Sequence, residues 1–317
     1  MNHNILVLGG TGFVGRAVCE RLVERNEGGG QVRVPTRRLA HGVTVRALPT
    51  VELVQADVHD EAALVKLLVG CDAVINLVAI LHGSAADFQR VHVELPRRLA
   101  AACQRANVRR LVHVSAIGVG PGAPSNYLRS KTEGEAALKA AGLDLTLLRP
   151  SVIFGAEDQF LNVFAKLQWL APVIPLAGSG ARFQPVWLED VASAVVRCLD
   201  RPDSVGQTYE LAGPQVYTLS ELVRLAGRWS GHERPQIPLP EFAARLQAFS
   251  MELLPGTPLM SRDNVASMRV PNIASGQLPG LTALGITPTA LEAVAPGYLG
   301  QCSGRARLER WRAGAGR

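Results

Sequence analysis

Ile5-Leu6-Val7-Leu8-Gly9-Gly10-Thr11-Gly12-Phe13-Val14-Gly15-Arg16 is the stretch of sequence that decides the fold. Its four large apolar residues predict a buried strand, its four glycines predict a tight turn, and apolar residues at helical spacing follow. A strand, a glycine turn and a helix start provide the close backbone approach and the free N–H groups that a dinucleotide's pyrophosphate needs. A structural turn without a ligand is the alternative. We predict nucleotide contacts at Gly9, Thr11, Gly12, Phe13, Val14 and Gly15.

Length and charge narrow the class of protein. The 317 residues can bury a full core, and 47% of them are apolar, yet no apolar run approaches the ~18–20 residues of a membrane span. Five arginines and one glutamate in residues 301–317 account for four of the six net positive charges, and we expect a mobile basic tail there. The rest of the chain has no basic patch interleaved with aromatic residues, so we predict no nucleic-acid binding.

Cysteine and histidine usage favours neither disulfides nor a metal site. The five cysteines are odd in number and far apart, which predicts no disulfide framework and no zinc site and favours a reducing cytoplasm. His82, His92 and His113 share no metal-ligand spacing, so we expect satisfied structural histidines and no bound metal. The chain enters its first strand at Ile5, which predicts no signal or transit peptide.

The residues after the second predicted strand indicate which nucleotide is bound. Gln31-Val32-Arg33-Val34 has the strand pattern, and Pro35 is expected at its end because proline lacks a donor for strand pairing. In NAD-preferring folds an acidic residue near this point hydrogen-bonds the adenosine ribose. Here Arg37 and Arg38 stand where a 2′-phosphate would lie. A solvated surface pair is the alternative, and we predict a preference for NADP(H) over NAD(H).

Further strand ends are candidate parts of the same site. Asp57 and Val58 follow a strand pattern at 51–55, and Asp57 can cap the next helix or hydrogen-bond the adenine amine. The apolar run 72–80 predicts a central parallel strand, and an open α/β sheet binds its ligand at the carboxyl ends of its strands. We therefore predict that Leu77, Val78 and Ala79 contact the nucleotide. We also predict that the nicotinamide lies beside Pro150, Ser151, Val152 and Ile153.

A serine, a tyrosine and a lysine predict chemistry at this site. Ser115 ends a strand pattern, and Tyr127 and Lys131 lie one turn apart on a predicted helix. A lysine cation beside a phenol lowers the phenol's pKa, so the phenol can shuttle a proton near neutral pH while a serine hydroxyl steadies the substrate oxygen. The three residues are candidate catalytic groups for carbonyl reduction or alcohol oxidation, and the Tyr127–Lys131 pair can also reach the nicotinamide ribose. A chance Tyr-x-x-x-Lys is the alternative.

The order of strand and helix patterns predicts an α/β fold, a doubly wound parallel sheet of the Rossmann type with a smaller, mostly helical C-terminal lobe. We expect the nucleotide-binding domain at 1–155, with 182–212 returning to it. The smaller substrate or partner lobe is expected at 156–181 and 213–300, followed by the basic tail. Residues 235–300 are expected to form short helices and no strands.

The order of these motifs resembles the short-chain dehydrogenase/reductase superfamily, in its extended or atypical branch. Several segments are more particular and resemble the nucleotide-binding accessory subunits of respiratory complex I and their bacterial relatives. Those segments are Tyr127-Leu128-Arg129-Ser130-Lys131, Phe154-Gly155-Ala156-Glu157-Asp158-Gln159-Phe160-Leu161-Asn162 and Gln184-Pro185-Val186-Trp187-Leu188-Glu189-Asp190-Val191. The likeness runs from about residue 4 to 299.

The resemblance implies a tightly held NADPH and, in the mitochondrial members, a role in holding the complex together without established turnover. One hypothesis is therefore an NADP(H)-binding protein whose nucleotide is mainly structural, docked on a partner or a respiratory complex at the periphery of the inner membrane. The other is a working NADP-dependent reductase or dehydrogenase that acts on a small carbonyl or alcohol through Ser115, Tyr127 and Lys131. A sugar-nucleotide epimerase is a weaker third option, because no arginine cluster for a second pyrophosphate is evident.

Overall fold

The computed structural model describes residues 4–27, 29–253, 256 and 258–300. The predicted basic tail, with Cys302, lies outside these residues. The strands, in chain order, are β1 (Ile5–Leu8), β2 (Val32–Thr36), β3 (Val51–Gln55), β4 (Ala73–Asn76), β5 (Arg110–Val114), β6 (Asp144–Pro150), β7 (Ile153–Phe154), β8 (Ile174–Ala177), β9 (Arg182–Phe183), β10 (Val186–Trp187), β11 (Thr208–Leu211), β12 (Tyr217–Thr218) and β13 (Gln236–Leu239). The helices are α1 (Phe13–Arg25), α2 (Val43–Arg46), α3 (Glu61–Leu68), α4 (Ala85–Phe88), α5 (Leu95–Ala106), α6 (Asn126–Lys139), α7 (Leu161–Leu170), α8 (Leu188–Asp200), α9 (Leu219–Ser230), α10 (Glu241–Glu252), α11 (Arg262–Ser267) and α12 (Leu291–Leu299).

The chain divides into two compact units. Unit 1 holds the described residues up to Pro150 together with Leu188–Leu211 and Ala274–Thr287. Unit 2 holds Ser151–Trp187, Ala212–Ile273 and the described residues from Pro288 onward. Residues 274–287, which the sequence pattern grouped with the smaller lobe, pack with unit 1. Glu210 explains this placement, because its carboxylate accepts hydrogen bonds from the backbone N–H and the hydroxyl of Ser275, at 2.6 and 2.8 Å.

The sheet of unit 1 has seven strands in the order β11-β6-β5-β4-β1-β2-β3. Every neighbouring pair in it is parallel, which confirms the predicted doubly wound α/β fold. Leu6 and Leu8 of β1 are fully buried in a cluster that includes Leu64 of α3 and Leu99 of α5. All four residues of β1 are apolar, as is usual for a strand that is buried on both faces. The carboxyl end of β1 leads into the glycine turn of the candidate site described below.

Pro35 lies inside β2 rather than after it. The strand continues to Thr36, and β2 pairs with β3 along its whole length, including Pro35 opposite Val54. On its other side β2 pairs with β1 only at Val32 and Arg33. Proline is tolerated in this strand because the pairing of β2 with β1 does not extend to position 35, so no N–H is needed there on that side.

The helical stretch between β4 and β5 contains a segment of a different winding. Gln89–Glu94 is a π-helix that joins α4 to α5, so the helical stretch runs from Ala85 to Ala106 with one irregular turn. Such turns take one more residue than an α-turn and are frequent at functional sites. His92 lies in this segment, and both its ring and its carbonyl contact other parts of unit 1 in the site described below.

Unit 2 is mostly helical, as predicted, but it also contains a strand pair that the sequence did not predict. Helices α7, α9 and α12 bury Leu161, Leu222 and Leu291 in one cluster with Phe154. The expectation of no strands in 235–300 was wrong, because β13 pairs in parallel with β8. Thr218 and Glu221 form a capping box at the start of α9.

Helix α10 of unit 2 carries a row of exposed apolar side chains at helical spacing: Phe242, Leu246 and Phe249, followed by Leu253 just after the helix. None of the helices in the described part of the chain combines the length and apolar character that a membrane span requires. Over the same residues, no group of three or more histidine, cysteine, aspartate or glutamate side chains converges on a metal position. Cys19, Cys71, Cys103 and Cys198 are free thiols.

Candidate functional site

The glycine turn lies at the carboxyl end of β1, an inner strand of the sheet between β4 and β2. Gly9 has φ of +82°, a conformation that favours glycine, and its carbonyl accepts the N–H of Gly12 at 3.0 Å. Gly12 then precedes α1 in extended conformation, with φ −81° and ψ 178°, and no acidic residue lies in the first turn of that helix. The turn therefore presents the positive end of α1 and its unpaired N–H groups, as a bound pyrophosphate requires.

The glycines at positions 15 and 10 serve close packing rather than flexibility. A Cβ added to Gly15 would lie 2.1 Å from the Gly9 carbonyl oxygen, and one added to Gly10 would lie 2.8 Å from a methyl group of Val34. Gly15 therefore allows α1 to rest against the turn, and Gly10 allows the turn to rest against β2. Of the remaining predicted contacts, Thr11, Phe13 and Val14 are half-buried and Gly12 is exposed.

Basic side chains follow β2 and line a cleft beside this turn. Arg37 and Arg38 are exposed directly after β2, where the Thr36 hydroxyl donates to the Arg38 carbonyl at 3.0 Å. A cleft of about 470 Å³ opens next to the turn and is lined by Thr11, Arg16, Ala40, His41, Val43 and Thr44. Arg16 and His41 were not predicted as site residues. Arg16 directly follows the last glycine of the turn, a signal that the sequence did offer.

Asp57 and Val58 follow β3 at the same edge of the sheet. The carboxylate of Asp57 accepts the N–H of His59 at 2.9 Å in a local turn. Asp57 does not cap the next helix, because Asp60 is the residue that caps α3, accepting the N–H of Ala62 at 2.9 Å. Asp57 is exposed and Val58 is half-buried. Because Asp60 caps α3, the contact with adenine is the remaining role of the two considered for Asp57.

Leu77, Val78 and Ala79 follow β4, and the backbone of Leu77 and Val78 lies against the glycine turn, whereas Ala79 is exposed. A Cβ added to Gly9 would lie 3.2 Å from the Leu77 carbonyl carbon and 3.3 Å from the Val78 nitrogen. The Val78 N–H donates to Asn76 Oδ1 at 3.2 Å, and Asn76 Nδ2 donates to the buried His113 at Nδ1, at 3.1 Å. Asn76 thus ties the end of β4 to β5.

Ser115 follows β5 and is buried, with its hydroxyl aimed at no partner. The backbone N–H donates to the Leu148 carbonyl at 2.7 Å, which continues the pairing of β5 with β6. The Oγ atom is one of a few buried side-chain atoms in the described residues that lack a hydrogen-bond partner. An unpartnered buried hydroxyl is costly, so this atom is a natural contact for a ligand oxygen.

Lys131 reaches the end of β5 from α6. The side chain is buried, and Nζ donates to the carbonyl of Val114, the residue before Ser115, at 3.0 Å. Burial lowers the pKa of Lys131 to about 8, and the nearby carboxylate of Glu135 opposes that shift. Glu135 is itself held by Arg149 through two hydrogen bonds of 2.9 and 2.6 Å. Lys131 is therefore a buried amine that is close to its titration point near neutral pH.

Tyr127 lies one turn before Lys131 on α6, as predicted, but its pKa is shifted in the other direction. Burial raises the pKa of the Tyr127 phenol to about 12, whereas the sequence led us to expect a lowered value. The prediction was wrong because burial desolvates the phenolate, which disfavours the charged form. The ring packs edge-on against Phe88 and His92, with centroid distances of 6.2 and 5.4 Å.

His92, which the sequence treated as structural, connects two parts of the site. Its Nε2 atom accepts the N–H of Ile80 at 3.1 Å, and its Nδ1 atom lies 3.0 Å from the Ser130 hydroxyl. Burial lowers the pKa of His92 to about 3, so the ring is neutral near pH 7. His113 is likewise buried with a lowered pKa, whereas Nδ1 of His82 has no partner in the described residues.

The four residues predicted beside the nicotinamide fall in two units. Pro150 ends β6 in unit 1, where its carbonyl accepts the N–H of Ile117 at 3.0 Å. In unit 2 the buried hydroxyl of Ser151 donates to Asn272 Oδ1 at 2.7 Å, and the same oxygen accepts the Val152 N–H at 2.8 Å. Ile153 begins β7 and pairs with Val186 of β10.

Comparisons with known proteins agree with this geometry. Residues 9–202 match a protein family described as NAD(P)H-binding. The chain is 33% identical over 293 residues to mitochondrial NADH dehydrogenase (ubiquinone) 1 alpha subcomplex subunit 9 of Mus musculus, covering 90% of this chain and 77% of that protein. It is 30% identical over 241 residues to ceramide reductase of Caulobacter vibrioides, covering 75% and 74% of the two chains.

A solved structure gives the same picture of the fold. The crystal structure of an NADPH-dependent quinone oxidoreductase from Escherichia coli, in complex with NADPH, superposes with a TM-score of 0.75 at 23% identity. The match covers 93% of this chain and 99% of that one. At this level of identity the likeness establishes the fold alone.

Proposed function

Because the chain belongs to the NAD(P)H-binding family within the short-chain dehydrogenase/reductase superfamily, we propose that it binds NADP(H) as a tightly held, mainly structural nucleotide. The observation that carries the proposal is the turn of unit 1, where Gly15 brings the start of α1 against the Gly9 carbonyl. In this proposal Gly9, Thr11, Gly12, Phe13, Val14 and Gly15 hold the pyrophosphate. Asp57 and Val58 flank the adenosine, and Leu77, Val78 and Ala79 line the nucleotide on the side toward the nicotinamide.

The preference for NADP(H) over NAD(H) rests on charge at the end of β2. Arg37 and Arg38 are exposed there, residues 37–50 contain no acidic side chain, and Arg16 lines the cleft next to the glycine turn. Charge-assisted hydrogen bonds to a phosphate contribute ~1.5–3 kcal/mol each, so the preference for the phosphorylated cofactor should be at least ~tenfold.

Calorimetric titration with NADPH and NADH tests this preference. Replacing both Arg37 and Arg38 with alanine should weaken NADPH binding by at least ~tenfold and leave NADH binding nearly unchanged. Arg245→Ala, at an exposed position of α10 in unit 2, is the matched control and should change neither affinity. Equal affinities of the native protein for NADPH and NADH, or tighter binding of NADH, would refute the proposal.

The nicotinamide end is proposed to lie at Ser115, Tyr127 and Lys131 of unit 1, with Pro150 at the end of β6 beside the ring. Lys131 Nζ already donates to the carbonyl of Val114, and an ammonium has three donors, so it can hold the ribose hydroxyls as well. Lys131→Met should therefore weaken NADPH binding whether or not the nucleotide turns over.

Carbonyl reduction by the bound NADPH is a second candidate function, favoured by the unpartnered Ser115 hydroxyl. A substrate carbonyl oxygen would complete that hydroxyl's hydrogen bonding, and Tyr127 would donate the proton that accompanies hydride transfer. Tyr127→Phe keeps the ring but removes the proton donor, so turnover of a small apolar ketone should fall ~10²–10⁴-fold. NADPH affinity should barely change. If Tyr127→Phe leaves a measured reductase activity unchanged, catalysis through Tyr127 is refuted and the structural role of the nucleotide remains.

Association with a respiratory complex is proposed from the relatives rather than from the site. A mitochondrial relative is a named subunit of NADH dehydrogenase, and the likeness spans 90% of this chain. We propose a cytoplasmic protein that docks on such a complex at the periphery of the inner membrane. Comigration of the native protein with NADH dehydrogenase activity on a density gradient of mildly solubilised membranes would support this. Recovery only at the top of the gradient would contradict it.

A further inference from the structure

The π-helical segment Gln89–Glu94 brings His92 between two parts of the site that are far apart in sequence. On one side is the backbone of residues 77–80, which lies against the glycine turn at Gly9. On the other side is α6, which carries Tyr127 and Lys131. His92 contacts both through its ring, and its carbonyl packs against α6 at a position where a Cβ on Gly134 would lie only 2.0 Å from the oxygen.

The hydrogen bonds of His92 fix its tautomer. The backbone N–H of Ile80 can only donate, so Nε2 of His92 carries a lone pair. The ring is neutral near pH 7 because burial and the nearby Lys131 cation lower its pKa, so its proton lies on Nδ1 and is donated to the Ser130 hydroxyl. Ser130 in turn donates its own proton to the carbonyl of Tyr127 at 2.9 Å. A chain of hydrogen bonds, each donating in the same direction, thus runs from Ile80 through His92 and Ser130 to Tyr127.

The ring of His92 also restrains the ring of Tyr127. Phe88 stacks on His92 at a centroid distance of 5.6 Å with an interplanar angle of 28°, and Tyr127 meets His92 edge-on at an interplanar angle of 80°. Each neighbour therefore limits the rotation of the next. Removal of the imidazole nitrogens would leave the half-buried Ile80 N–H and the buried Ser130 hydroxyl without these partners.

We propose that His92 is a positioning residue that couples the 77–80 segment to Tyr127, so that the nicotinamide half of the nucleotide meets a preformed surface. The inference rests on the proposed function, because it concerns the same bound nucleotide. With this role for His92, the nucleotide site has two halves. The adenosine half depends on the glycine turn and the arginines after β2, whereas the nicotinamide half depends on His92.

Two ligands test this division on the full-length protein. NADPH occupies both halves, whereas adenosine 2′,5′-bisphosphate carries only the adenosine end. His92→Phe keeps an aromatic ring without either nitrogen, and we expect ~tenfold weaker NADPH binding with unchanged bisphosphate binding. The fluorescence enhancement of bound NADPH should fall in parallel, because the nicotinamide would be less immobilised. His92→Gln, whose amide oxygen lies near the position of Nε2, should recover part of the NADPH affinity.

Ser130→Ala breaks the chain of hydrogen bonds between His92 and Tyr127, and it provides a second test if His92→Phe fails to fold. It should weaken NADPH binding several-fold and leave the bisphosphate unaffected. Ser230→Ala is its matched control, since the buried Ser230 hydroxyl of α9 also donates to the carbonyl three residues earlier, at 3.1 Å. It should change neither affinity.

Three outcomes would count against the inference. Equal weakening of both ligands by His92→Phe would indicate a general loss of order, and unchanged NADPH binding in both His92→Phe and Ser130→Ala would show that no coupling exists. Failure of the native protein to bind either ligand would instead refute the proposed function itself.

Discussion

Gly15 tolerates no side chain, because its Cβ would lie 2.1 Å from the Gly9 carbonyl oxygen and 2.6 Å from Gly10 Cα. Gly15→Ala should lower the free energy of unfolding by about 1–3 kcal/mol and abolish nucleotide binding, because α1 must move away from the turn. Gly12→Ala is the matched comparison. Its backbone suits alanine, and its nearest neighbour would be 3.2 Å away, so it should cost less than ~1 kcal/mol of stability while still weakening NADPH binding. Equal loss of stability in the two variants would contradict the explanation that a side chain at position 15 forces α1 away from the turn.

Lys131 makes the protein less stable below its pKa. In the folded state that pKa is lowered from 10.5 to about 8, so below about pH 8 the folded protein carries the cost of a buried ammonium. Lys131→Met removes this cost, and its Tm should exceed that of the native protein by a few degrees at pH 7. As the pH rises from 8 to 10.5 the native amine loses its proton and the difference should shrink. Lys66→Met, at an exposed position of α3, is the control, and the same gain there would refute the explanation.

Residue-level predictions succeeded where a residue type has one dominant use. Positive φ at Gly9 and the close packing at Gly15 follow from the spacing of the glycines, since no other residue fits such a turn. The pKa of Tyr127 was predicted in the wrong direction, because spacing places a lysine nearby but does not report how completely the phenol is desolvated. The role of His92 was missed because it depends on contacts with Ile80 and Ser130 that are distant in the sequence.

At the scale of elements, the start of α3 separates the roles of two aspartates. Asp60 caps the helix, so Asp60→Ala should lower the free energy of unfolding by about 1 kcal/mol and leave NADPH affinity unchanged. Asp57→Ala should have the opposite profile, with a several-fold loss of NADPH affinity and little loss of stability, if its carboxylate meets the adenine amine. Chemical denaturation and calorimetry measure the two effects. Unchanged NADPH affinity in Asp57→Ala would remove Asp57 from the site.

The regular elements of unit 1 could be predicted because a buried parallel strand is apolar throughout and a surface helix is apolar on one side. The π-helical turn could not, since one additional residue within a long helix leaves the apolar spacing almost intact. The pair of β8 and β13 was also missed. Proline occurs in both strands, at Pro175 and Pro238, and these residues obscure a strand pattern that pairing with the other strand nevertheless stabilises.

For the whole molecule, the basic tail gives a direct test. Residues 301–317 carry four of the six net positive charges and have no apolar stripe that could pack on a core. A protein that ends at Gly300 should therefore keep the Tm and the NADPH affinity of the full chain. A fall of several degrees in Tm on removal of these residues would show that they are packed.

The chain leaves unit 1 at Pro150 and returns only at Leu188, and this detour affects the protein while it is being synthesised. The edge strand β11 adds to the sheet beside β6, and α8 is anchored to α1 by Arg21 with Glu189 and by Arg25 with Asp200. Roughly 60 residues separate the end of β6 from the end of β11. At ~5–20 residues per second the ribosome takes about three to twelve seconds to make them. During that interval the nascent sheet has an open edge at β6, where a chaperone can bind and a second nascent chain can pair in error.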